Sequence, residues 1–285
     1  MYFWYYRTID RFAVTKTKIM PPIEDVRRSI HYAGPEYYRY IPLNGLSLDV
    51  VNRTLANDPH EICFEINRQC NLMCPICIAG AGLHSDLYLS LLKFEETLKK
   101  FGGTLMRITL TGGEPILHVD FVNLVRLALV KAKGVVIATN GYQPTILEEA
   151  LSGLKPLTVT VSMHGSREIH DQFVGRTGAF DRALDTIGRC LEQGHRVEVL
   201  TTAFKEAINT FPILAGCLTG IPIDEHRINL VKARGRVARE AVSWETVIAV
   251  VSQVHTRYRL TIKRKSQPFL FVASNGKEEL RYENN

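Results

Sequence analysis

From Glu61 to Tyr258 the sequence alternates between apolar runs of strand length and longer helical patterns, and this rhythm constrains the fold more than any other feature. The runs that read as strands are 61–67, 105–111, 135–140, 157–163, 196–203 and 226–232. Helical patterns follow them near 88–101, 119–132, 145–152, 179–193, 208–219 and 243–258. Gly102, Gly134, Gly153 and Gly194 come just after four of these patterns, where helices commonly end. Six β–α units in succession predict an α/β fold, a parallel sheet with right-handed crossovers. Six units either close part of the way into a TIM-like (β/α)6 barrel or stay open as a doubly wound sheet, and periodicity is the same for both.

The flanks lack this rhythm. Residues 1–60 are rich in Tyr and Pro and read as an extension leading into a domain over 61–258. In the tail, Leu260–Lys263 and Phe269–Val272 read as strands and Asn275-Gly276 as a turn, so 259–285 is expected to be a small β appendage. Hydrophobic residues make up 46% of the 285, enough to fill a core and to exclude global disorder. The formal charge of +6 is too small to argue for a nucleic-acid partner, and none is expected. It suits an anionic substrate or an acidic electron-donor protein. The opening Met1–Arg7 is aromatic but lacks the basic and continuous apolar regions of a signal peptide. No run reaches the roughly 18 apolar residues of a membrane helix, so a cytoplasmic protein without a membrane span is expected.

Of six cysteines, Cys63, Cys190 and Cys217 are scattered, and the other three crowd into one segment. A metal site in a reducing compartment explains that pattern better than a disulfide framework. Cys190 and Cys217 have apolar neighbours in helical patterns and read as inert thiols. Cys70, Cys74 and Cys77 have the spacing C-x3-C-x2-C directly after the first strand. That is a loop at the carboxyl end of a strand, where parallel α/β folds keep their active sites. Three thiolates in eight residues can wrap one iron–sulfur cluster. On a four-iron cluster they leave one iron open to a ligand. The alternative is a non-catalytic metal-binding module; for zinc, His84 or Cys63 would supply the fourth ligand that a structural site wants.

The second strand ends in Thr111-Gly112-Gly113-Glu114-Pro115. Together with Cys70, Cys74 and Cys77 in this order and placement, it resembles the signature of the radical S-adenosylmethionine (radical SAM) superfamily. The resemblance covers about 60–240 and implies a partial (β/α)6 barrel. It implies that the three cysteines hold a [4Fe-4S] cluster whose open iron is chelated by S-adenosylmethionine. It also implies that the reduced cluster cleaves the sulfonium, and that the 5′-deoxyadenosyl radical takes a hydrogen atom from a substrate. A flavodoxin or ferredoxin is then the expected electron donor. Gly112, Gly113 and Glu114 would hold the methionine amino group, with Asn140 and Ser162 as further cofactor contacts. Ile76 departs from the aromatic residue often found before the third cysteine. The stretch from Ser162-Met163-His164-Gly165 to Gly178-Ala179-Phe180 is similar to the branch containing molybdenum-cofactor cyclases and peptide-maturing enzymes. Those carry extra cysteines after the barrel for auxiliary clusters. This sequence has none after Cys217, so one cluster is expected.

The strands also alternate in polarity. Ile62, Phe64 and Ile66 alternate with Cys63, Glu65 and Asn67; Met106, Ile108 and Leu110 with Arg107, Thr109 and Thr111; Val159, Val161 and Met163 with Thr158, Thr160, Ser162 and His164. Glu198 and Thr202, then Arg227 and Asn229, continue the polar set. Strands buried on both faces normally read as continuous apolar runs. One polar face therefore predicts a wet lumen and a small polar, anionic or peptidic substrate. Glu65 and His164 are candidate substrate contacts, and Arg234 and Arg236 after the sixth strand are a candidate clamp for a carboxylate or phosphate.

Overall fold

The computed structural model describes residues 61–75, 77, 79–99, 101, 103–230, 242–254, 259–263, 268–272 and 278–282. The expected extension, 1–60, lies outside them, as does Gly102. The chain runs β1 (Glu61–Asn67), α1 (Leu91–Lys99), β2 (Leu105–Gly112), a 3-10 turn (Pro115–Leu117), α2 (Phe121–Lys131), β3 (Ala132–Thr139) and α3 (Pro144–Leu151). Next come β4 (Thr158–Ser162), α4 (Arg167–Val174), α5 (Ala179–Glu192), β5 (Arg196–Ala203), α6 (Lys205–Asn209) and α7 (Phe211–Leu218). Last are β6 (Glu225–Leu230), α8 (Trp244–Val251), β7 (Arg259–Lys263), β8 (Pro268–Val272) and β9 (Glu278–Tyr282). The strand order is β7-β6-β5-β4-β3-β2-β1-β8-β9, an α/β sheet in which β9 alone is antiparallel to its neighbour. The strands expected after residue 259 therefore extend the main sheet, β7 beside β6 and β8 beside β1.

Alternation along the strands sets the two faces. Ile62, Phe64, Ile66, Ile108, Leu110, Val135, Ile137, Val159, Val161, Val197 and Val199 form one buried cluster with Phe94, Leu124, Leu147, Phe180, Ile187 and Phe211 from the helices. Phe64 and Phe94 pack with ring centroids 4.5 Å apart. Each such side chain contributes about 1.5–3 kcal/mol on leaving water. The opposite face carries the polar set: Cys63, Glu65 and Asn67 are register partners of Thr109, Thr111 and Gly112, and Thr160 of Glu198. On β3 that face is apolar, with Val136 and Ala138. Thr160 and Arg227 both bond to Glu198, tying β4, β5 and β6 together across it.

Two local expectations change. Gly134 does not end a helix: α2 passes directly into β3, and Gly134 pairs with Arg107 inside the strand. After β4 there is an additional helix, α4, that apolar spacing did not signal. Its start is capped by the Ser166 hydroxyl, which accepts from the Ile169 N–H at 3.4 Å, and it ends on Gly175 with φ 69°. Among the described residues no helix is long and apolar enough to cross a membrane.

Candidate metal and cofactor site

The cysteine loop leaves β1 at Asn67 and is pinned at both ends by its own backbone. Cys70 N–H donates to Gly82 O at 3.1 Å, Gly82 N–H to Arg68 O at 3.0 Å, and Cys77 N–H to Cys74 O at 3.3 Å. Met73 N–H donates to Val174 O at 3.2 Å, which fastens the loop to the end of α4. Cys70 is 8% exposed, and Cys74 and Cys77 are half-buried. Around them lies a second apolar cluster built from Leu72, Ala81, Phe173, Val174, Phe204 and Ala207, with Tyr142 packed against it.

Burial pushes the Cys70 thiol up to about 11; the Leu72 N–H and the Asn140 amide pull the other way, and Glu114 and Cys77 add to the rise. A neutral thiol at this depth becomes a thiolate when a metal cation arrives. Donors already face it: Leu72 N–H lies 3.4 Å and Asn140 Nδ2 3.7 Å from Cys70 Sγ. The same Nδ2 donates to Asn71 Oδ1 at 2.8 Å, and the buried Asn71 Nδ2 has no partner. Three soft sulfurs, that of Cys70 supported by donors, fit an iron–sulfur cluster. Among the described residues, no three His, Cys, Asp or Glu side chains converge on one ion. Three thiolates of a cluster bind separate irons and need no such convergence, whereas a zinc site does. His84 is exposed, and Cys63 lies back along β1 opposite Thr109.

The Gly-Gly-Glu turn is joined to the root of this loop. Gly113 N–H donates to Asn67 O at 2.9 Å, Glu114 N–H to Gln69 O at 2.7 Å, and Asn67 Nδ2 to Glu114 O at 2.9 Å. A Cβ on Gly112 would stand 2.5 Å from the Asn67 carbonyl oxygen, and one on Gly113 2.6 Å from the Gln69 carbonyl carbon. The space freed by these glycines is occupied by the chain itself. Glu114 is 1% exposed; Thr139 Oγ1 donates to it at 2.7 Å and Asn140 N–H at 2.8 Å. Burial raises its pKa to about 7, against the pull of these donors.

The remaining candidates divide by position. Ser162 is half-buried at the end of β4. His164, just beyond it, accepts from Thr202 N–H through Nδ1 at 3.2 Å and packs against Phe173, with centroids 4.9 Å apart. Burial and its neighbours His170 and His226 hold it neutral, with a pKa of about 3. Glu65 is buried, and Arg68 Nε donates to it at 2.8 Å. Arg234 and Arg236 lie outside the described residues, as does Ile76. Thr139, Asn71 and the Thr160–Glu198–Arg227 set were not singled out by the motifs; period-two polarity marked only the last of these.

A family profile described as the radical SAM superfamily matches residues 64–210. Among similar proteins, the Fe-coproporphyrin III synthase of Methanosarcina barkeri is 33% identical over 161 residues, covering 54% of this chain and 39% of that protein. The sporulation killing factor maturation protein SkfB of Bacillus subtilis is 32% identical over 146 residues, covering 50% and 36%. The chain thus spans well under half the length of either relative. The crystal structure of Streptococcus suis SuiB bound to S-adenosylmethionine shares the fold, with a TM-score of 0.62 at 16% identity over 78% of this chain and 60% of that one. The profile takes in more than half of the sequence, including the cysteine loop, the Gly-Gly-Glu turn and the strands that join them, and on that match the chain belongs to the radical SAM superfamily.

Proposed function

We propose that this chain is a radical SAM enzyme in which Cys70, Cys74 and Cys77 hold one [4Fe-4S] cluster, with S-adenosylmethionine bound beside Gly112, Gly113, Glu114, Asn140 and Ser162. The observation that carries this reading is the backbone zipper between residues 67–69 and 112–114, which makes the two motifs one structural unit. When bound, the cluster and S-adenosylmethionine supply one-electron cleavage of the sulfonium and a radical able to take hydrogen from a substrate. The protein's part is to position and to exclude water. Asn140 braces both the Cys70 sulfur and Asn71, so the loop and the end of β3 move together. Glu114, held by Thr139 and by the Asn140 backbone, offers a carboxylate to an arriving ammonium. Phe173 and Phe204, stacked at 4.3 Å, keep the loop's inner side dry.

The polar face of the sheet supports a small polar or anionic substrate, or a peptide, as the name of the relative SkfB suggests. Arg234 and Arg236 would clamp its anionic group, and a flavodoxin or ferredoxin would supply the electron. The test is anaerobic reconstitution of the protein and its Cys70→Ala, Cys74→Ala and Cys77→Ala variants. The parent is expected to turn brown, bind four irons and release 5′-deoxyadenosine from S-adenosylmethionine on reduction. Each variant should lose iron and 5′-deoxyadenosine together. A variant that keeps a full cluster and normal turnover would sink the assignment.

A further inference from the structure

A cluster held by this loop must receive electrons from outside the chain, so some face of the loop must be open to a donor. Met73, between Cys70 and Cys74, is 55% exposed. Its N–H is fastened to Val174 O at the end of α4. Two residues further on is Arg176, whose Nε donates to the Tyr142 hydroxyl at 2.9 Å and whose guanidinium carbon lies 5.1 Å from the Tyr142 ring centroid. Arg182, in the first turn of α5, brings its own guanidinium carbon to 4.7 Å from the same centroid. Both arginines are exposed, and Tyr142 packs against the apolar cluster that contains the three cysteines. One aromatic ring thus anchors two cations at the border of the cysteine loop.

The absence of a paired carboxylate separates them from several other arginines. Arg68, Arg167, Arg189, Arg196 and Arg227 each pair with a carboxylate. Among the described residues, Arg176 and Arg182 pair with none. Two like charges on one ring repel, and together they gather a positive field. Because the ring already fixes both side chains, an anionic partner would lose little entropy in ordering them. An exposed apolar residue beside a fixed basic pair has the make-up of a small, transient interface that works through electrostatic steering.

We propose that Met73, Tyr142, Arg176 and Arg182 form the docking surface for an acidic one-electron donor protein. The inference rests on the cluster assignment above. In the step it serves, one electron leaves the donor's reduced cofactor and enters the cluster, and no bond is made or broken.

The test uses the reconstituted protein, with an acidic flavodoxin in its hydroquinone form as the probe and dithionite as a small reductant. Flavodoxin binding is titrated at low and high salt, and cluster reduction is followed by bleaching of visible absorbance. Arg176→Glu and Arg182→Glu are each expected to weaken binding and slow flavodoxin-driven reduction roughly tenfold at low salt, the difference fading as salt screens it. With dithionite, reduction and 5′-deoxyadenosine release should match the parent. Arg176→Gln and Arg182→Gln, which remove the charge without reversing it, should show smaller losses of the same kind. Unchanged flavodoxin binding in the Glu variants overturns the proposal, as does a defect that appears equally with dithionite. Normal flavodoxin-driven reduction with impaired substrate turnover also overturns it and assigns the pair to an anionic substrate. A parent that forms a cluster and responds to dithionite but does not bind flavodoxin refutes the docking surface alone. A parent that forms no cluster refutes both readings.

Discussion

Glu114 has two sets of partners to satisfy. In the structure its carboxylate is enclosed and serves the chain, accepting from Thr139 and from the Asn140 backbone. In the proposed reading it also meets the amino group of S-adenosylmethionine. Glu114→Ala is expected to weaken S-adenosylmethionine binding by about 1.5–3 kcal/mol, the worth of one charge-assisted hydrogen bond. The cluster should survive, since no iron ligand is lost. Anaerobic equilibrium binding checks this, and an unchanged affinity would remove Glu114 from the site. Cys70, Cys74, Cys77 and Glu114 were legible because their signal is local spacing. Thr139, Asn71 and Tyr142 were not: their contacts depend on the register of β3 against β2 and on the path of the loop, which one sequence does not print. The resemblance assigns Gly112 and Gly113 to the cofactor; what one sequence does not print is that a Cβ on either would meet the backbone of residues 67–69.

At the level of elements, those glycines join β1 and β2 at their carboxyl ends. Gly113→Ala would push a methyl into the Gln69 peptide, and a backbone braced by hydrogen bonds on both sides cannot give way cheaply. The expected cost is about 1–3 kcal/mol of stability, with a lower yield of reconstituted cluster. Gly103→Ala, where a Cβ meets nothing within 4 Å, is the control and should change neither. Denaturant melts together with iron content per chain make the comparison. The strands were the most readable elements, because period-two polarity survives wherever one face is polar; β1 and β5 match their expected spans residue for residue. α4 escaped notice because its buried side chains, His170, Phe173 and Val174, include a polar one and cluster toward its end. The pattern over 208–219 became two short helices, α6 and α7, broken at Thr210 just before Pro212.

Across the whole molecule, burial acts on charge. His164, His170 and His226 are held neutral by desolvation, with pKa values of about 3, 4 and 3. Unfolded, each would take a proton near pH 6.5, so the folded state is fully favoured above that value and loses stability as pH falls below it. The limiting slope for three protons is about 4 kcal/mol per pH unit. Denaturant unfolding between pH 7.5 and 5 should show stability falling with acid, offset in part by Glu114, whose raised pKa lets the fold take up a proton near pH 7, and His226→Gln should flatten the slope by about 1.4 kcal/mol per pH unit. A slope unmoved by that change would mean that His226 charges freely in the fold. The order of the strands carries a last consequence. Lys263 ends β7 and Pro268 begins β8, four residues apart in the chain yet at opposite ends of a parallel run. Laid flat, eight strands at about 4.8 Å would hold the outermost pair about 34 Å apart. Five peptide steps reach roughly 18 Å at most. The covalent tether therefore curls the parallel run until the end of β7 and the start of β8 come within that reach, with β9 on the margin of β8 that faces away from β1.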